Sequence, residues 1–171
     1  MSPTSELGPI DPQVLVDLTG EGSREWVAAH YITKTYDALF GQATKLEDGH
    51  IEPFLQQLTK FSAIRVEQLR ATTALAEDIA IGALQRGMMK ERSREEIKEK
   101  IKDFTDPEKT MSHGRGIDAE QAKACGLNIE LVGLDTELWA AVHGLYVRSK
   151  YVVDSTPADK LIDTLEGSYF V

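Results

Sequence analysis

From residue 53 to about residue 86 nothing in the sequence stops a helix until Gly87, and Phe54, Leu55, Leu58, Phe61, Val66, Leu69, Ala76, Ala80 and Leu84 share one apolar stripe. Pro53 suits the first turn of such a helix, where its missing N–H costs nothing. At 1.5 Å per residue the element would be about 50 Å long, with room for a bend at the β-branched pair Thr72 and Thr73. A helix of that length has to cross a domain face or a subunit interface, because its apolar stripe needs cover. The chain has 171 residues, 42% of them apolar, which is enough for one ordinary domain with a moderate core. A single domain over 1–171 is therefore the expectation.

The remaining elements follow from local signals. Residues 1–20 read as strand and loop, with Val14 to Leu18 alternating before Gly20. A helical region is expected over 23–104. Ser23 is placed to cap its first helix, which carries Trp26, Ala29, His30, Thr33, Tyr36 and Phe40 before Gly41. Residues 45–50 are polar and form a connection. Ser93 followed by Glu96 has capping-box spacing and opens a helix through Ile97 and Ile101 to Phe104, before Pro107. Residues 113–132 form a helix–strand element: Asp118 caps a short helix through Ala122 and Ala124, Gly126 ends it, and 127–132 alternates like a strand. A helical tail over 135–171 completes the chain, with one helix from Asp135 to about Tyr151 and another from Pro157 to Leu165.

Charge and cysteine usage narrow the function. The formal charge is −9, from 28 acidic and 19 basic residues, and its field repels phosphate backbones and anionic headgroups. Nucleic acid is not expected as a partner. The single cysteine, Cys125, allows neither an internal disulfide nor a cysteine-rich metal site, so a reducing cytoplasm is the expected compartment. The first residues, MSPTSELGPI, lack a basic segment followed by an apolar one, and no apolar run approaches the ~18 residues of a membrane span.

The residues that could carry chemistry are few. An activated serine sits in a turn of small residues that exposes its hydroxyl to backbone donors, and no serine here has that setting. Ser23 and Ser168 each follow a glycine but have bulky or charged neighbours, so a cap and a loop are their expected roles. His30, His50, His113 and His143 show no ligand spacing, and neither a metal nor any other cofactor is expected. Gly20-Glu21-Gly22 fits no nucleotide-binding pattern, and the charge run over 90–102 alternates in sign as a solvated face does.

Two stretches at opposite ends carry more. Residues 1–13 read MSPTSELGPIDPQ and residues 113–129 read HGRGIDAEQAKACGLNI. The first resembles the segment that follows the nucleophile in the serine dehydrogenase proteinase family of Clp-protease-like and signal-peptide-peptidase-like serine peptidases, with its Leu-Gly-Pro-Ile-Asp-Pro-Gln signature. The second is similar to that family's histidine, isoleucine, helix and Gly-Leu element, and to the Ala-x-x-Ala-x-x-x-Gly-Leu unit of Clp peptidases and crotonases. The likeness covers most of the chain and thins after about Val132. It implies an α/β fold of the ClpP/crotonase type, represented by its mainly helical C-terminal portion with a few short strands.

The resemblance also implies a serine nucleophile in a small-residue turn shortly before the first signature, and this chain starts downstream of that point. Without a triad member, about 10⁴ to 10⁶ of the rate is typically lost, so the chain alone is expected to be nearly inactive. By resemblance His113 falls near the third catalytic position of Clp peptidases; a loop histidine is the alternative. Asp11 lies near the position of their base histidine, a departure that puts a Ser-His-Asp triad in doubt; a strand-end turn residue is its other reading. Lys34 would serve as the base of a Ser-Lys dyad, or as an ordinary helix-surface lysine. Gly8 and Pro9 would shape the substrate groove by keeping backbone close to an extended peptide, or form a tight turn.

Three expectations follow. The first is part of a ClpP-class serine peptidase that hydrolyses peptide bonds in peptide or protein substrates and forms homo-oligomers through its long helix. The second is a helical assembly or interaction domain that keeps the scaffold without the chemistry. The third is a fragment of a crotonase-like acyl-CoA enzyme, against which the 7–13 signature argues.

Overall fold

The computed structural model describes residues 1–17, 22–46, 49–106, 115–158 and 160–170. The chain divides into two compact units, Glu6–Asn128 and the pair of segments Met1–Ser5 and Ile129–Val171.

In the first unit, the continuous apolar run Val14-Leu15-Val16 lies in strand β1, Gln13–Asp17, which pairs antiparallel with β2, Arg24–Ala28, placing Leu15 opposite Trp26. Gly22, at φ +88°, donates its N–H to Asp17 Oδ2 at 2.8 Å beside this hairpin. The helix expected from Ser23 therefore begins later. Trp26 and Val27 pair better across a pleated strand than they pack in a first helical turn, and β1 supplies their partner. Helix α1 spans Ala29–Lys45, and the Ala29 N–H finds Pro12 O at 2.8 Å.

The long helix is also divided. Helix α2 spans Glu52–Leu58 with Pro53 in its first turn, and α3 spans the 24 residues Ala63–Arg86. Ser62 makes the break, because its side chain accepts the Arg65 N–H and so caps a new start. Helix α3 is unbroken at Thr72 and Thr73, whose hydroxyls donate to the carbonyls of Gln68 and Leu69 at 2.8 and 3.0 Å. Val66, Leu69 and Ile81 are its buried residues, while Ile64, Leu75 and Ile79 are exposed.

Helix α4, Arg94–Lys100, opens with the capping box read from the sequence: Ser93 accepts the Glu96 N–H, and Glu96 Oε2 accepts the Ser93 N–H at 2.8 Å. That backbone N–H bond, with the Ser93 hydroxyl, holds the Glu96 carboxyl below its usual pKa. Ion pairs Arg94–Asp78 and Lys98–Glu77 link α4 to α3. A break at Ile101 separates α4 from the short α5, Lys102–Thr105. Helix α6, Ala119–Ala124, has a second capping box between Asp118 and Gln121. It ends in a Schellman motif at Gly126, φ +85°: Gly126 N donates to Lys123 O and Leu127 N to Ala122 O. Residues 127–132 are not a strand. The Leu127 N–H belongs to that cap and the Asn128 N–H lies 3.5 Å from Met88 Sδ, so neither enters a ladder.

In the second unit, Val132 N donates to Met1 O at 2.8 Å and the Met1 ammonium to Glu130 O at 2.6 Å. Helix α7, Glu137–Asp154, is capped by Thr136, whose hydroxyl accepts the Trp139 N–H. The helix expected over 157–165 is instead part of a hairpin of β3, Leu161–Asp163, and β4, Ser168–Phe170. Thr164 Oγ1 accepts the N–H groups of Glu166 and Gly167 and holds the turn, and Leu161 and Ile162 face Phe170 and Tyr169 across it.

The described architecture is helical with two small antiparallel sheets, compatible with the α/β class at its coarsest. No helix among the described residues is long and apolar enough to cross a membrane.

Candidate functional site

The 7–13 stretch and the 113–129 stretch meet. Leu7 N donates to Ile117 O at 2.9 Å and Ile117 N to Leu7 O at 2.8 Å, an antiparallel bridge, and Ile10 N donates to Phe104 O at 2.7 Å. Gly116 fits beside this bridge because a Cβ there would lie 2.6 Å from Glu6 Cβ. Ile117 and Phe104 are both buried, so these backbone bonds are shielded from water.

Downstream of the bridge, Asp11 lines a cleft of about 310 Å³ together with His30 and Thr33 of α1, Arg70, Thr73 and Glu77 of α3, and Thr105. Helical spacing puts His30 and Thr33 on one face of α1, and Arg70, Thr73 and Glu77 on one face of α3. Arg70 pairs with Asp37 and Glu67, and these bonds, that to Asp37 first, strengthen its hold on its proton. Glu77 is bonded to Lys98 at 3.0 Å. The three threonine hydroxyls are spent on backbone: Thr33 donates to His30 O, Thr73 to Leu69 O and Thr105 to Ile101 O. The cleft thus offers carboxylates, an imidazole and a guanidinium for binding and proton transfer, but its hydroxyls are held as helix back-bonds rather than as nucleophiles.

Among the described residues, Asp11 is the one sequence-derived candidate that lines this cleft. Lys34 is exposed on α1, one residue past Thr33 and so turned about 100° from it. Gly8 is exposed and a Cβ there would meet nothing within 4 Å, so neither crowding nor a left-handed backbone requires glycine; Pro9 is half-buried. His113 lies outside the described residues. Neither His30 nor Glu77 is marked by a local sequence pattern; both join Asp11 through the packing of α1 against α3. Ser2 is buried with its Oγ 2.8 Å from Ser5 Oγ and 3.2 Å from Thr4 Oγ1. Ser23 is exposed ahead of β2, and Ser168, on β4, donates to Asp163 Oδ1 at 2.6 Å. No group of three histidine, cysteine or acidic side chains among the described residues could hold a metal ion.

A second, larger groove of about 540 Å³ runs along β1. Four consecutive β1 residues, Val14 to Asp17, line it, which makes it follow the strand's edge rather than one face. The Ala29 N–H bonds Pro12 O, and bonded pairs alternate along an antiparallel ladder, so Gln13, Leu15 and Asp17 turn their backbone groups outward. Tyr31, Ile32, Phe61, Val66 and Leu69 supply apolar lining; Lys60 and Arg65 also line it, neither of them in an ion pair with the described residues.

No protein-family model, curated protein or solved structure matches the chain.

Proposed function

We propose that the chain is the C-terminal part of a cytoplasmic serine peptidase of the Clp type, with a ClpP/crotonase-like α/β fold, acting on extended peptides. The observation that carries this reading is the Leu7–Ile117 bridge. The resemblance rests on two stretches far apart in sequence, and a chance likeness at each end gives no reason for the two to pair.

The outer edge of β1 supports a peptide substrate. Its outward N–H and C=O groups can extend the sheet by one strand, with apolar side chains over the groove and a carboxylate near Lys60 and Arg65. Asp11 and His30, in the neighbouring cleft, are then the groups of this chain best placed to orient water or move a proton, with Lys34 and His113 as the further candidates of the resemblance. None of the described serines is proposed as the nucleophile, since their settings are those of turns, caps and strands and, for Ser149, the interior of α7.

A second reading, a helical assembly domain without chemistry, is favoured by the exposed apolar residues Ile64, Leu75 and Ile79 on α3. Labelling with a fluorophosphonate probe separates the two. The probe is applied to this chain and to a form extended upstream to the next in-frame start. Covalent labelling of the extended form alone supports the peptidase; silence from both would sink it and leave the assembly domain.

A further inference from the structure

We infer that helix α7 is a self-association surface, on which a second copy of this chain packs its own α7 antiparallel. Projected at 100° per residue, Leu138, Ala141, Val142, Leu145, Ser149, Val152 and Val153 fall within one arc of about 120°, and no charged residue falls inside it. Glu137, Arg148, Lys150 and Asp154 all lie outside that arc, with Lys150 and Asp154 bonded to each other on the far side. Leu138, Val142 and Leu145 are 60%, 51% and 60% exposed, and α7 has no buried residue.

A helix in that condition lacks the packing that makes helices stable. With Gly144 inside it and β-branched Val142, Val147, Val152 and Val153, its intrinsic propensity is poor, and its 18 residues stand only a little above the length of about 12–15 below which even good formers are marginal in water. Something must cover the stripe, and charge identifies what. Glu137 and Arg148 lie on the same flank of the stripe, three turns apart, and neither has an ion pair with the described residues. In an antiparallel pair, like flanks face each other. A two-fold axis near Val142 and His143 then sets Glu137 of each copy against Arg148 of the other, so one self-complementary contact closes both pairs. Covering the stripe on both copies removes on the order of 1,000 Å² from water, near the lower limit for a specific interface. The expected dimer is therefore reversible.

Sedimentation velocity of the whole chain from about 1 to 100 μM reads the outcome. A monomer–dimer equilibrium is expected. Leu145→Glu should abolish it, and Arg148→Glu, which sets acid against acid, should raise the dissociation constant about fivefold or more. The exchanged pair Glu137→Arg with Arg148→Glu should restore it, a rescue that no general loss of folding would produce. A monomer throughout the range would overturn the inference, and so would a dimer indifferent to Arg148→Glu.

Discussion

Gly41 and Gly126 both lie in or at the end of a helix, yet replacement of each by alanine is expected to move stability in opposite directions. Gly41 is inside α1, and a Cβ there would meet nothing within 4 Å. Alanine at a helix-interior position with room for its Cβ restricts the unfolded chain and gains about 0.5–1 kcal/mol. Gly126 stands at φ +85°, where a Cβ crowds its own backbone at a cost of about 1–2 kcal/mol. Its Cβ would also approach Lys100 Cδ to 3.2 Å and Met89 Cε to 3.5 Å. The lysine stem can move by a few tenths of an ångström, so crowding adds little, and the sum for Gly126→Ala stays at about 1–2 kcal/mol destabilising. The two variants should therefore differ by roughly 2 kcal/mol. Urea unfolding followed by far-UV circular dichroism measures this, with the midpoint falling for Gly126→Ala and rising for Gly41→Ala at unchanged slope. If Gly126→Ala were as stable as the parent chain, the left-handed Schellman cap would be the wrong account of how α6 ends.

Ile97→Ala, at a fully buried position on α4, should cost about 2–5 kcal/mol in the same assay. Thr136→Ala removes the acceptor for the Trp139 N–H and should lower the stability of α7 by about 1 kcal/mol, read as lost helical signal in the temperature scan. Because the folded-state pKa of Glu96 is depressed, its bond to Ser93 contributes above the unfolded carboxyl pKa and is lost as pH falls through the lower folded value. Glu96→Gln should flatten the acid limb of stability against pH, and an unchanged limb would show that the carboxylate is not what Ser93 binds. Lys60→Glu with Arg65→Glu should weaken binding of an extended apolar peptide with an acidic terminus about tenfold, measured by fluorescence anisotropy; equal affinity would remove the β1 groove from the proposed function.

What the sequence made legible was what neighbouring residues decide among themselves. Ser93 with Glu96, Asp118 with Gln121, and Gly126 with Lys123 close their hydrogen bonds within a few residues, so the starts of α4 and α6 and the stop of α6 could be read directly. What escaped was decided by competition. Ser62 sits inside an apolar pattern that continues in helical register, yet its hydroxyl satisfies Arg65 N–H better as a cap than as an interior residue. Trp26 and Val27 fit either period, and only their pairing with Val14 and Leu15 made them a strand. In the C-terminal segment, Thr164 closing on Glu166 and Gly167 outweighed the helical start offered by Pro157. The candidate site divides the same way. Asp11 was found through the motif around it, whereas His30 and Glu77 join it only because α1 and α3 lie side by side, which no local pattern records.

The unit formed by Met1–Ser5 and Ile129–Val171 is discontinuous along the chain, whereas Glu6–Asn128 is continuous. On a ribosome the continuous unit can fold as soon as Asn128 has emerged. Residues 1–5, made before the continuous unit, have to wait for residues 129–171, a further delay of several seconds at about 5–20 residues per second. During that interval Met1 has no Glu130 or Val132 to bond. Order in synthesis and order in assembly are thus reversed for residues 1–5, and a nascent chain stalled near residue 128 should leave that segment open to a protease while the continuous unit resists digestion.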